Sequence, residues 1–144
     1  MAVTAAGVFR RTPQERADQR LAWNRADQPF FAAGACHILA WVCRDTYPDR
    51  PIGRAGLRCA GQSQVFHVYA TWADRAFDHA GWNPEADLLA VNREFERRPL
   101  DRIAITDDIA TFCRAQRHRM PHEYWRDPLP RARDYVNRHP PPWT

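Results

Sequence analysis

Three residues far apart in the chain, Cys36, His67 and Asp78, offer the most direct chemistry in this sequence. Cys36 opens the run Cys36-His37-Ile38-Leu39-Ala40-Trp41-Val42-Cys43. In it Cys36, Leu39, Ala40 and Cys43 recur at i, i+3, i+4 and i+7, one face of a helical period. Ile38, Trp41 and Val42 cover the opposite side, so the spacing predicts a helix with no polar face, which belongs inside a fold. Free backbone N–H groups and the positive end of the dipole at the first turn stabilise a thiolate at Cys36. His37 is adjacent in sequence but points about 100° round the helix. His67 and Asp78 interrupt an otherwise apolar hairpin. Thiol attack on an acyl carbon needs a base for the proton, and the base needs an orienting partner for its second nitrogen. Cys36 is then the nucleophile, His67 the general base and later acid, and Asp78 the orienter. The backbone N–H of Cys36 is one oxyanion donor, and Gln28 is the candidate for a second. His37 and Tyr69 join Gln28 as candidate oxyanion or substrate-binding residues.

Whether His67 and Asp78 meet is a question of parity, since opposed residues of an antiparallel pair share a face. A turn centred on Ala73-Asp74 sets Tyr69 opposite Asp78, with His67 one diagonal away. A four-residue loop from Thr71 to Asp74 sets His67 directly opposite Asp78. A three-residue loop puts the two on different faces.

The remaining elements must hold this trio. Thr12-Pro13-Gln14-Glu15 predicts a capped helix start, and a polar surface helix to about Asn24. Asp27-Gln28-Pro29 is expected to break the chain, and Ala32-Ala33-Gly34-Ala35 to turn into the central helix. Residues 55–60 and 65–71 have strand composition, the second apolar on both faces and therefore central. Trp72 to Arg75 is expected to turn, Ala76 to His79 to return as a strand, and Gly81-Trp82-Asn83 to close the hairpin. Asn83-Pro84-Glu85 starts a helix with Leu88, Leu89, Val91 and Phe95 on its apolar face. A short strand over residues 100–105 and a helix from Thr106-Asp107-Asp108 to about Arg119 follow. From Met120 on, prolines and charges predict an irregular segment wrapped over the body, anchored by Tyr124, Trp125 and Tyr135. The expected architecture is α+β: one domain over residues 1–144, a surface helix at 13–24, a core at 30–119 and a Pro/Arg-rich segment at 120–144.

Composition narrows the classes. The chain has 144 residues, 44% hydrophobic, with six Trp, enough for one real core. Net charge is +4, spread along the sequence, which suits a solvated surface better than a nucleic-acid groove. All 21 basic residues are arginine. That excludes Schiff-base lysines and a phosphate loop of the Walker type. A GC-rich coding sequence explains it, as does selection against lysine modification in a protein delivered to another cell. The four cysteines lack the spacing of a disulfide framework or zinc pair. Cys113, His118 and His122, with His79 as a fourth, are interrupted by Pro121, so neither a metal nor another cofactor is expected. Met1 to Arg10 contains no apolar run suited to a signal peptide, and no stretch suits a membrane span. A reducing cytoplasm, or delivery from one cell to another, is the expected location.

Gly34-Ala35-Cys36, His67 within Val65-Phe66-His67-Val68-Tyr69, and Asp78 within Ala76-Phe77-Asp78 together resemble the papain-like superfamily. The resemblance is to its small circularly related members, the NlpC/P60-type and transglutaminase-like domains, and covers about residues 30–82. It implies a papain-like core, with a small antiparallel sheet packed against the nucleophile's helix. It also implies acyl transfer at a peptide or protein amide: peptide hydrolysis, amidase action, deamidation or transamidation. The chain departs from many members in having His37 after Cys36 and no aromatic or Ser-Gly pair flanking it. Two rivals remain beside the enzyme reading. One is a non-catalytic interaction domain using the Arg-rich surface and Pro/Trp tail; the other is a delivered toxin domain using the same triad.

Overall fold

The computed structural model describes residues 11–143, so the expectation for Met1 to Arg10 lies outside them. Thr12 caps α1 (Pro13–Ala17): its Oγ1 accepts from Glu15 N at 3.1 Å, and Glu15 Oε1 accepts from Thr12 N at 2.8 Å. This helix does not run on to Asn24. Asp18 is extended, and its carboxylate accepts from the backbone N–H groups of Arg20 and Leu21, capping a separate helix, α2 (Gln19–Trp23). A short acidic side chain competing for local N–H groups is the reason for the break. Asp27-Gln28-Pro29, expected as a breaker, instead forms the first turn of α3 (Asp27–Ala32), where proline forfeits no intrahelical bond. Ala33 and Gly34 then turn the chain into α4 (Cys36–Thr46), with Gly34 at φ 120° and its carbonyl accepting from the Tyr124 hydroxyl. As an all-apolar helix must be, α4 is central: Cys36 to Cys43 are all buried.

Five strands form one antiparallel sheet, against four strand segments expected from the sequence. They are β1 (Gly53–Cys59), β2 (His67–Trp72), β3 (Arg75–Asp78), β4 (Gly81–Pro84) and β5 (Leu100–Ala104), in the order β4-β3-β2-β1-β5. The α+β class is the one observed. β2 and β3 join through Ala73-Asp74, with Ala73 at φ 51°, and pair Ala70 with Phe77 and Thr71 with Ala76. That is the two-residue register. Gly81-Trp82-Asn83 does not close the hairpin but begins β4. Gly81 is fixed twice: its φ is 84°, and a Cβ there would lie 2.8 Å from His139 Cδ2.

The strand alternation divides the core. Val68, Ala70 and Phe77 pack with α4, while Ala55, Leu57, Tyr69 and Ala76 pack with Leu88 of α5 (Glu85–Glu96). Asn83 does not cap α5; it lies in β4 and its amide donates to Ala80 O. Phe95, expected on the apolar face of α5, is 45% exposed. Asp108 caps α6 (Ile109–Gln116), whose Phe112 packs on Trp41.

The segment after Met120 is not irregular. It contains a 3-10 turn (Pro121–Glu123) and α7 (Leu129–Asn137), which lies against α4 and buries Ala132, Tyr135 and Val136. Pro130 is tolerated because it sits in the helix's first turn. Tyr124 and Tyr135 are the buried anchors the sequence suggests, whereas Trp125 is exposed. Arg131 ties α7 to the N-terminal helices. Its Nε donates to Asp27 Oδ1, Nη1 to Trp23 O and Nη2 to Arg25 O, each at 2.7 Å, with the guanidinium over Phe30. Arg131→Met keeps much of the stem but strands three part-buried acceptors. It should lower the unfolding free energy by about 2–4 kcal/mol in urea denaturation. A loss under about 0.5 kcal/mol would show that water replaces these bonds at no cost.

Candidate active site

Cys36 is the first residue of α4, with Ala35 as N-cap, so its sulfur stands at the end of the helix where N–H groups are unpaired. Cys36 is 6% exposed and lines a cleft of about 560 Å³ together with His67 and His118. His67 is the first residue of β2. Its Nε2 lies 3.0 Å from Asp78 Oδ2, with both side chains buried. Asp78 closes β3, and its Oδ1 accepts from Ala80 N at 2.9 Å, which fixes the carboxylate plane. With Nε2 committed to Asp78, the other nitrogen of His67 is the one available to the Cys36 thiol, and the two groups lie near enough that each shifts the other's pKa.

The strand alternation alone would send His67 away from Cys36. His67 has the parity of Tyr69, which faces α5, whereas Val68 packs with Cys36 and Ala40. The two meet because each begins its element. At the end of the sheet the ring reaches the end of α4 without crossing a strand.

Electrostatics follow from this packing. Burial alone would raise the Cys36 thiol, but the neighbouring His118, His37 and His67 rings, and the charge on His67, hold it well below a free thiol. Burial would lower His67, but Asp78 and the thiol raise it to about 10. Burial would raise Asp78, yet the hydrogen bond from His67 and the field of His79 keep it below the usual carboxylate range. The arrangement favours thiolate, imidazolium and carboxylate in a row.

Cys36, His67 and Asp78 thus come together; the other candidates stand elsewhere. Gln28 Nε2 donates to His79 O at 3.3 Å, and its side chain does not line the cleft. Tyr69 is fully buried, stacks on His67 and donates to Glu85 Oε2 at 2.6 Å. His37, expected to face away from Cys36, approaches it; it is fully buried and outside the cleft lining. His118 is the site residue the sequence reading missed. The sequence places it near Cys113 and His122, but Cys113 Sγ donates to Arg119 O and His122 is exposed. No spacing in the chain marks His118; the turn after α6 delivers it to Cys36. Among the described residues, two groups have the donor types and proximity to hold a metal: Cys36, His37 and His118, and His67, Asp78 and His79.

Comparison with protein-family models, with curated proteins and with solved structures returns no match. No helix among the described residues is long and apolar enough to cross a membrane.

Proposed function

We propose that the chain is a thiol-dependent acyl-transfer enzyme acting on an amide bond, with Cys36 as nucleophile, His67 as acid and base, and Asp78 as orienter. The observation that carries this reading is a helix-start thiol lining the same cleft as a histidine whose Nε2 is held by a buried carboxylate. The thiolate attacks the acyl carbon and a C–S bond forms. The carbonyl oxygen takes the negative charge beside the first-turn N–H groups of α4. As the C–N bond breaks, His67 gives its proton to the leaving amine. Neutral His67 then takes a proton from the acceptor as it attacks the thioester carbon; the C–S bond breaks, the acyl product leaves, and the thiolate and imidazolium are restored. Water as acceptor gives hydrolysis or deamidation; an amine gives transamidation. Release of ammonia or amine from peptide and glutamine-amide substrates by the native protein, and none by Cys36→Ala with unchanged circular dichroism, is the expected outcome. Equal release by both proteins would count decisively against the assignment.

The cleft also carries a charge preference. Arg11, Arg16, Arg117 and Arg119 line it, against Glu123 as the one acidic residue in that lining among the described residues. Burial and the repulsion of Arg119 and Arg16 push the Arg11 guanidinium below its usual pKa, a sign of crowded positive charge. An acidic peptide suits such a cleft. Arg11→Ala combined with Arg117→Ala should slow alkylation of Cys36 by iodoacetate about three- to tenfold at low salt, with iodoacetamide little affected. A matching loss with both reagents would indicate damage to the site in place of lost steering.

The delivered-toxin reading uses the same three residues, and growth arrest on expression that disappears with Cys36→Ala would support it. The interaction-domain rival loses its simplest test. Deleting the residues after Met120 strips α7 from α4, so lost binding would report unfolding.

A further inference from the structure

The proposed acyl transfer uses His67 but assigns nothing to the other two histidines at the same sulfur. Cys36, His37 and His118 present one ligand atom each, all within 4.8 Å of one another. His37 is fully buried, and its Nδ1 has no aligned hydrogen-bond partner, an unusual state for a buried ring nitrogen. The outward nitrogens are anchored. His37 Nε2 donates to Arg119 O at 2.7 Å, and His118 Nδ1 donates to Gln116 O at 2.9 Å. A carbonyl only accepts, so each outward nitrogen carries the hydrogen, and in the neutral ring the inward nitrogen presents its lone pair. That is the outer-shell pattern that orients metal-bound imidazoles.

We propose that this cluster is a zinc site, in which Cys36 Sγ, His37 Nδ1 and His118 Nε2 bind Zn²⁺ and thereby close the thiol to acyl chemistry. One thiolate with two imidazoles is a donor set zinc accepts readily, and three protein ligands leave a fourth position open. That position faces His67 or the cleft, from which the ion enters. Bonds of about 2.0–2.3 Å to the ion require ligand atoms about 3.5 Å apart, so the set needs to close by no more than roughly 1.3 Å on loading. One Zn–S and two Zn–N bonds form, the proton shared between Cys36 and His67 leaves to solvent, and no electron is transferred. The blocking half of the proposal rests on the thiol-enzyme reading; the binding half does not.

The test starts from full-length protein freed of metal by chelator. Cobalt(II) should bind one per chain, giving a thiolate-to-metal charge-transfer band and the strong visible bands of a tetrahedral site, both displaced by zinc. Cys36→Ala should remove the charge-transfer band. His118→Ala, at a half-buried position in a turn, should weaken binding at least about tenfold while the thermal unfolding curve shows a folded protein. Stoichiometric zinc should slow iodoacetamide labelling of Cys36 at least about tenfold, and chelator should restore it. Absence of the band, its persistence in Cys36→Ala, or unchanged labelling with zinc would each overturn the proposal. The two readings fail separately: fast labelling without cobalt binding sinks only the metal site, and cobalt binding to a thiol inert when metal-free sinks only the enzyme.

Discussion

Iodoacetamide should alkylate Cys36 alone among the four cysteines of the native, metal-free protein, and at about pH 6 it should do so roughly tenfold faster than it alkylates glutathione. A free thiol is almost wholly protonated at that pH; burial would keep Cys36 so too, but His118, His37 and His67 lower its pKa well below that of a free thiol and so enrich the thiolate. A thiolate of low pKa is intrinsically less nucleophilic, which leaves an advantage of about one order of magnitude where ionisation alone would give more. All four thiols are buried, but of them Cys36 alone lines the cleft. Burial pushes Cys43 up to about 12 and Cys113 up to about 11, so neither competes. The pH dependence separates labelling from turnover. Labelling falls only when Cys36 takes up its proton, well below the ordinary thiol value of 9.0. Turnover falls there too, and again near pH 10, where His67 loses the proton the leaving amine needs. Peptide mapping of the labelled protein across this range reads both limbs. A labelling rate that climbs through the range of a free thiol would remove the basis for the mechanism.

Replacing Asp78 by Ala should cost about 10²–10⁴ in turnover and raise the pH at which Cys36 labels. The carboxylate raises His67 through a 3.0 Å hydrogen bond and through its charge. Without it the buried imidazolium has no counter-charge, the proton returns to the thiolate, and the ring loses its preferred tautomer. The same carboxylate accepts from Ala80 N, so the variant also loses local stability. Asp78→Asn keeps an acceptor and a similar shape without the charge, and should fall between the native protein and Asp78→Ala. Native-like turnover in a folded Asp78→Ala protein would mean that the pair is only structural.

The sequence could show the centre of this fold because the signal there is local and strong. An eight-residue apolar run with helical recurrence had nowhere to go but the interior, and Cys36 to Cys43 are all buried. The Thr12 box was legible for the same reason, since four adjacent residues contain all its partners. Other boundaries were not, because competing local bonds decided them. Asp18 ends one helix by capping the next, and Pro29 is harmless in a first turn. The α7 helix was hidden behind prolines and charges. Its stability comes from Ala132, Tyr135 and Val136 packing on α4, and from Arg131 bonding to residues more than a hundred positions away.

The trio of thiol, imidazole and carboxylate was suggested by residue types and by an even-loop hairpin, and the Ala73-Asp74 turn supplies that register. Parity brought His67 to Asp78, because that relation is set within two neighbouring strands. It could not bring His67 to Cys36, because their strand faces diverge and only the shared end of sheet and helix joins them. Nor could it place His37 and His118 at the sulfur. The first depends on the geometry of one helical turn, and the second on where a loop after α6 comes to rest. The sequence by itself determined which helix is buried and which groups could react, because hydrophobic recurrence and residue chemistry are written locally. The tertiary structure alone decided what surrounds the sulfur, because that depends on distances between elements that no spacing along the chain encodes.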